Sequence, residues 1–178
     1  YNKYTTFWEK VTNKLWKAAA ALFAAVWIGV PAPVFAAEGG TETAVTKETA
    51  RAVASGLVPE DSEFQYAEQC GDAFEVLYYS DADKAYYTVR VSIFTGEVTS
   101  VSSVLVDCRG SREAVLTEDQ VTAIASEDAG EVDVESVALD TVAGRKKYEV
   151  LCSGDGFAVS YQINAESGKI LKKTVQYH

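Results

Sequence analysis

Two segments 71 residues apart carry the same helix signature, and alternating, strand-like sequence follows each of them. Thr46 opens "TKETARAVASG" and Thr117 opens "TEDQVTAIASEDAG". Each begins with a hydroxyl that can accept from a first-turn amide and ends at a glycine, Gly56 or Gly130. Thr117 with Gln120 fits a capping box, and Leu116 with Val121 fits its hydrophobic staple. In the first segment Val45 and Ala50 hold the staple positions. Ala50, Val53, Ala54 and Leu57 follow i, i+3, i+4, i+7 spacing, which predicts one apolar stripe on a short helix.

The strand-like stretches also correspond. "SEFQYAEQ", "FEVLYYS" and "AYYTVRVSIF" follow the first helix; "VDVESVALDTV", "KKYEVLC" and "FAVSYQIN" follow the second. Tyr87, Val89, Val91 and Ile93 alternate with polar residues, as do Phe157, Val159, Tyr161 and Ile163, the pattern of a sheet with one wet face. Both series then reach a glycine turn, "FTGEV" or "ESGKI", and a final stretch. An offset of 71 residues is too long for a solenoid repeat. The expectation is therefore an α+β chain of two small repeats, residues 46–108 and 109–178. In each, a helix packs on a three- to four-stranded antiparallel meander that needs such a cover.

Residues 1–36 differ in kind. They carry Lys3, Lys10, Lys14 and Lys17 against Glu9, and Ala18–Ala37 holds no charge. Pro31 and Pro33 limit the unbroken apolar helix to Ala18–Val30, about 20 Å against a hydrocarbon core of roughly 30 Å. Lysines, a short apolar segment, prolines and then small residues are the order of a secretory signal. Val34 and Ala36 sit where the peptidase requires small side chains, so cleavage is expected after Ala36, with Ala37 as the alternative. Phe7, Trp8, Leu15 and Trp16 leave open an uncleaved anchor over residues 8–36, the one contact with a membrane that this sequence predicts. Either way the body beyond is exported. Residues 37–45 read as a linker, and Tyr1 in place of Met predicts a fragment or a processed form.

Subtracting residues 1–36 from the chain's 16 basic and 26 acidic residues leaves 12 and 25, a formal charge of −13. Such a field repels phosphate, which argues against nucleic acid and anionic lipid as partners. Catalytic chemistry has little to stand on. The one histidine is His178, so a His-dependent hydrolase lacks its base and a zinc site lacks its usual ligands. "DADK", residues 81–84, has the spacing with which a calcium loop starts, but neither the glycine nor the later glutamate, and it reads as a hairpin turn. No catalytic residue, metal ligand or cofactor site is predicted.

Cys70, Cys108 and Cys152 belong to the exported body, where disulfides form. Cys70 lies just past the first strand of the first repeat and Cys108 just past its last, both beside loops, and a bridge between them is the first expectation. Cys108 with Cys152, or three thiols, are the alternatives. Cys152 alternates with Tyr148 and Val150, as a buried thiol would. "YYSDADKAYY" gathers Tyr78, Tyr79, Tyr86 and Tyr87 around one hairpin. Alternation sends half of them outward, where they form a candidate binding surface or a cross-strand aromatic packing.

"YEVLCSGDGFAVSYQINAESGKIL" resembles a PepSY domain, with its "yev" strand, "dG" turn and a strand that ends in a D-x-x-T/S-G-x-I/V pattern. Tyr148, Glu149, Val150, Asp155, Gly156, Gly168 and Lys169 are in register, and Asn164 stands where the family often has Asp. Residues 46–106 are similar at Phe74, Glu75, Val76, Thr95, Gly96 and Glu97, but "SDADKA" has no turn glycine and predicts a different hairpin. The resemblance implies a tandem PepSY (propeptide and YpeB-like) bacterial protein, secreted or held at the envelope. It implies a non-catalytic module whose partner is another envelope protein, an exported peptidase that it inhibits or regulates. A structural or adhesive surface module without a peptidase partner is the alternative.

Overall fold

The computed structural model describes residues 45–178. The expected signal or anchor, its cleavage residue Ala36 and most of the linker lie outside the described residues. Among the described residues no helix is long and apolar enough to cross a membrane.

Helix α1 spans Lys47–Ser55, and the Thr46 hydroxyl caps it by accepting from the Thr49 amide at 3.2 Å. Ala50 and Ala54, one turn apart, are buried, and their small side chains let the helix lie close to the sheet. Val53 is 36% exposed, so the apolar stripe is narrower than its spacing predicts; Leu57 is buried from beyond the helix end. Helix α2 spans Glu118–Ala129 and has the expected capping box. Thr117 Oγ1 accepts from the Gln120 amide at 3.3 Å, and Gln120 Oε1 accepts from the Thr117 amide at 3.0 Å. Val121 and Ala125 face the core.

Strands β1 (Glu63–Cys70), β2 (Ala73–Ser80), β3 (Ala85–Ser92) and β4 (Val98–Leu105) follow α1. Strands β5 (Asp133–Val142), β6 (Arg145–Gly154), β7 (Phe157–Asn164) and β8 (Ile170–Tyr177) follow α2. The two meanders do not stay separate. They form one eight-stranded antiparallel sheet in the order β1-β2-β3-β4-β8-β7-β6-β5. The seam runs from Ser100 opposite Gln176 to Val104 opposite Lys172, with Ser102 opposite Thr174 at its centre.

The reason is the demand of unpaired strand edges. Two small sheets would expose four rows of backbone donors and acceptors, and joining β4 to β8 satisfies two of them. Both remaining edge strands carry a bulge, between Phe64 and Tyr66 in β1 and between Val134 and Ser136 in β5. Such bulges discourage further pairing.

Packing follows the same continuity. Val76, Val89, Val101, Val175 and Val159 are successive register partners across five strands, and all are buried. Cys152 ends that row, buried as its alternation predicts. Helix α1 covers β1–β3 and α2 covers β5–β7, both on this face, so residues 45–178 form one compact unit.

The hairpins differ as their sequences predict. Asp81–Lys84 make a four-residue loop between β2 and β3, whereas Asp155 and Gly156 alone join β6 to β7. Gly156 has φ 76°, where a glycine avoids the steric penalty that other residues meet.

Candidate binding surfaces

Among the described residues the helices roof the sheet on one side only. Side chains that alternate with the buried rows form an open face of short polar residues, among them Thr88, Ser102, Thr174 and Ser160. The four hairpin tyrosines divide between the two faces. Tyr78 and Tyr87, each 4% exposed, sit opposite one another in the core. Tyr78 donates to the Arg51 carbonyl at 3.2 Å, and Tyr87 donates to the Asp83 carboxylate at 2.7 Å. Tyr78 and Tyr87 are therefore the inward half that alternation predicts and drop out of the candidate surface, because an inward ring with a bonded hydroxyl contributes to folding.

Tyr79 and Tyr86 lie on the open face, cross-strand partners with ring centroids 5.1 Å apart. Tyr86 is 42% exposed. Tyr66, which the hairpin pattern missed, is exposed beyond them and donates to Glu75 at 3.3 Å. Its alternation with buried Ala67 was the available signal.

The three cysteines are free thiols. This corrects the expected Cys70–Cys108 bridge, and strand direction explains it. Cys70 ends β1 at the edge of the sheet where β4 begins, whereas Cys108 lies beyond the far end of β4. Eight strand residues cover about 26 Å, and a disulfide needs Cα atoms within about 7 Å.

One ion pair is internal. Lys173 on β8 is 2% exposed, and its Nζ lies 2.5 Å from Asp128 Oδ2 near the end of α2. Tyr161 donates to the same Oδ2 at 2.8 Å, and Lys173 Nζ sits 5.4 Å from the Tyr161 ring centroid. Burial holds the Lys173 ammonium below its usual pKa, with Asp128 opposing that shift. Burial and Asp128 together push the Tyr161 hydroxyl up. Lys173 and Tyr161 are buried, so the cluster is closed to a substrate, and its ion pair adds little net stability over an apolar pair. Lys173 was legible only as an inward position between Leu171 and Val175, since its residue type argues the opposite.

Among the described residues no cluster of three or more His, Cys, Asp and Glu could hold a metal ion. His178 donates its backbone amide to the Gly156 carbonyl at 3.1 Å.

Residues 115–174, which hold α2 and the strands from β5 into β8, match the family model of PepSY, the peptidase propeptide and YPEB domain. Residues 115–174 are thus similar to a PepSY domain over about a third of the chain. PepSY domains are typically extracytoplasmic, non-catalytic modules with regulatory or binding roles. Residues 46–108, expected as a first copy, lie outside the match.

Three solved structures are similar at low identity. One is a protein from Clostridium difficile described as a lipoprotein, at 15% identity and TM-score 0.33, covering 66% of this chain and 84% of that one. Another is a cysteine-rich secretory protein from Staphylococcus aureus, at 12% identity and TM-score 0.40, covering 72% of this chain and 43% of that one. A third is a BLIP-like protein from Bacteroides fragilis, at 13% identity and TM-score 0.31, covering 74% and 86%. No curated protein matches the chain.

Proposed function

We propose that this protein is a non-catalytic binding module, exported to the cell envelope, that presents the open face of its sheet to another envelope protein. One observation carries the reading: among the described residues both helices lie on one face of the eight-stranded sheet, and no described helix covers the other face, which carries the Tyr79–Tyr86 pair. Exposed tyrosines offer rigid area with a polar tip, which suits recognition of a protein surface. The face is favoured over the edges, because the seam occupies β4 and β8 and the outer edges are bulged.

An exported peptidase is the partner class that the PepSY match suggests, with the chain as inhibitor or regulator. Residues 46–108 act as a diverged second copy of that module. Their support is the repeated order of one helix and four strands. Residues 1–36 export the body as a cleaved signal or a retained anchor.

The test is to titrate the protein against secreted metallopeptidases and measure both binding and residual activity. Slowed or captured peptidase supports the regulator. Indifference to peptidases together with retention on cell-wall material would replace it with a structural or adhesive role.

A further inference from the structure

The segment that joins β4 to α2 builds a second surface, separate from the open face. Ser111 and Lys146 exchange both backbone hydrogen bonds, at 2.9 and 2.7 Å, and pin this segment to the start of β6. Gly110 packs so closely that a Cβ there would lie 2.3 Å from the Lys146 carbonyl oxygen. Ser111 is buried and donates its hydroxyl to the Glu113 carbonyl at 2.6 Å. The backbone there is fixed by contacts that a mere tether would not need.

Above this floor lies a groove of about 690 Å³. Three of the chain's five arginines, Arg109, Arg112 and Arg145, line it. Arg109 is engaged by Asp107 at 2.9 Å. Arg112 and Arg145 have no ion-pair or hydrogen-bond partner among the described residues. Two unengaged guanidiniums at one groove are notable in a body whose formal charge beyond Ala36 is −13. Asn164 adds a side-chain amide; its Oδ1 accepts from the Glu166 and Ser167 amides at 3.0 Å each, which fixes the ring of that turn.

We propose that this groove binds a carboxylate-bearing peptide segment of a partner protein, with Arg112 and Arg145 holding the carboxylate. Guanidinium forks match a carboxylate in plane and charge. A polyphosphate is disfavoured, because Asp107, Glu113 and Glu166 share the same walls and would repel a dense anion. One carboxylate on a peptide meets the arginines without meeting that repulsion in full, and the volume is that of a site for a few residues. The proposal rests on the binding-module reading, but not on the partner being a peptidase.

The experiment uses two labelled, end-capped peptides that differ only in a central Glu or Gln, titrated into the full chain and followed by fluorescence anisotropy. The Glu peptide binds about tenfold more tightly, the scale of one charge-assisted bond. Arg112→Gln and Arg145→Gln each remove that preference, while Arg51→Gln, on helix α1 and outside the groove, leaves it intact. Equal binding of the two peptides, no binding of either, or displacement by phosphate but not by acetate overturns the proposal. If Arg112→Gln and Arg145→Gln leave capture of an envelope protein untouched and the peptides do not bind, the groove is refuted and the binding module stands. If the peptides discriminate and no peptidase is captured, the groove stands and the regulator is refuted.

Discussion

Ser102 of β4 pairs with Thr174 of β8, and this contact at the middle of the seam makes one sheet of two meanders. Equilibrium unfolding in urea should therefore show a single cooperative transition, coincident by tyrosine fluorescence and far-UV circular dichroism. Ser102→Pro removes a ladder hydrogen bond and should cost more than about 1 kcal/mol of the whole transition. Two resolved transitions in the parent protein would show that the halves fold apart.

Lys173 and Asp128 should be worth far more as partners than either is alone. Lys173→Met leaves a carboxylate buried without its cation and should cost about 3–5 kcal/mol. Adding Asp128→Leu should return part of that loss, since an apolar pair dispenses with desolvating two charges but leaves the buried Tyr161 hydroxyl without its acceptor. Urea midpoints for the two single variants and the double variant decide it.

Alkaline pH should act on the core in two opposite ways. The Lys173 pKa is lowered in the folded state, so the unfolded chain holds more protons above the folded value. Stability from this group rises with pH up to the ordinary lysine pKa of about 10.5. Burial raises Tyr177 to about 12, so its contribution is complete below the ordinary tyrosine value of about 10 and is lost as pH passes 12. Tyr161, also raised, adds to that loss. The Tyr177 hydroxyl has no hydrogen-bond partner among the described residues. Tyr177→Phe should then stabilise by about 1 kcal/mol at pH 7 and weaken the alkaline loss, read from thermal midpoints between pH 7 and 12.

The hairpin tyrosines should separate folding from binding. Tyr87→Ala empties a core site and should cost about 3–5 kcal/mol, as large-to-small aromatic changes do. Replacing Tyr79 and Tyr86 together by Ser should change stability by no more than about 1 kcal/mol and abolish capture of the partner. Undiminished capture by that double variant would rule out the open face.

Thiol labelling gives a fast check on the cysteines. Cys108 is exposed and should react with a disulfide reagent at once. Cys152 is buried, burial raises its thiol pKa, and it should react only when the protein unfolds.

Much of the fold could be read in advance because its elements obey local rules. The Thr117–Gln120 box and the Val89–Val91 and Val159–Tyr161–Ile163 alternation depend on neighbours a few residues away. The seam does not. Serines, threonines and two lysines in β4 and β8 suit a wet edge as well as an interior strand, and the chain carries no local mark of which edge will be shared. The cysteines failed for another reason: sequence spacing ignores strand direction, and three turns place Cys70 and Cys108 at opposite ends. The groove at Arg112 and Arg145 was invisible because its residues come from the β4–α2 segment, the start of β6 and the end of β7 with its turn, and become neighbours only through the Ser111–Lys146 bridge and the β6–β7 pairing.

The strand reached last along the chain, β8, stands at the centre of the sheet and not at a rim. A polypeptide emerging from the exporting side of a membrane N-terminus first would hold β4 with one side unsatisfied until Thr174 arrived. Removing residues 169–178 would then trim nothing peripheral: it would open two interior edges at once and turn a closed scaffold into two sticky halves.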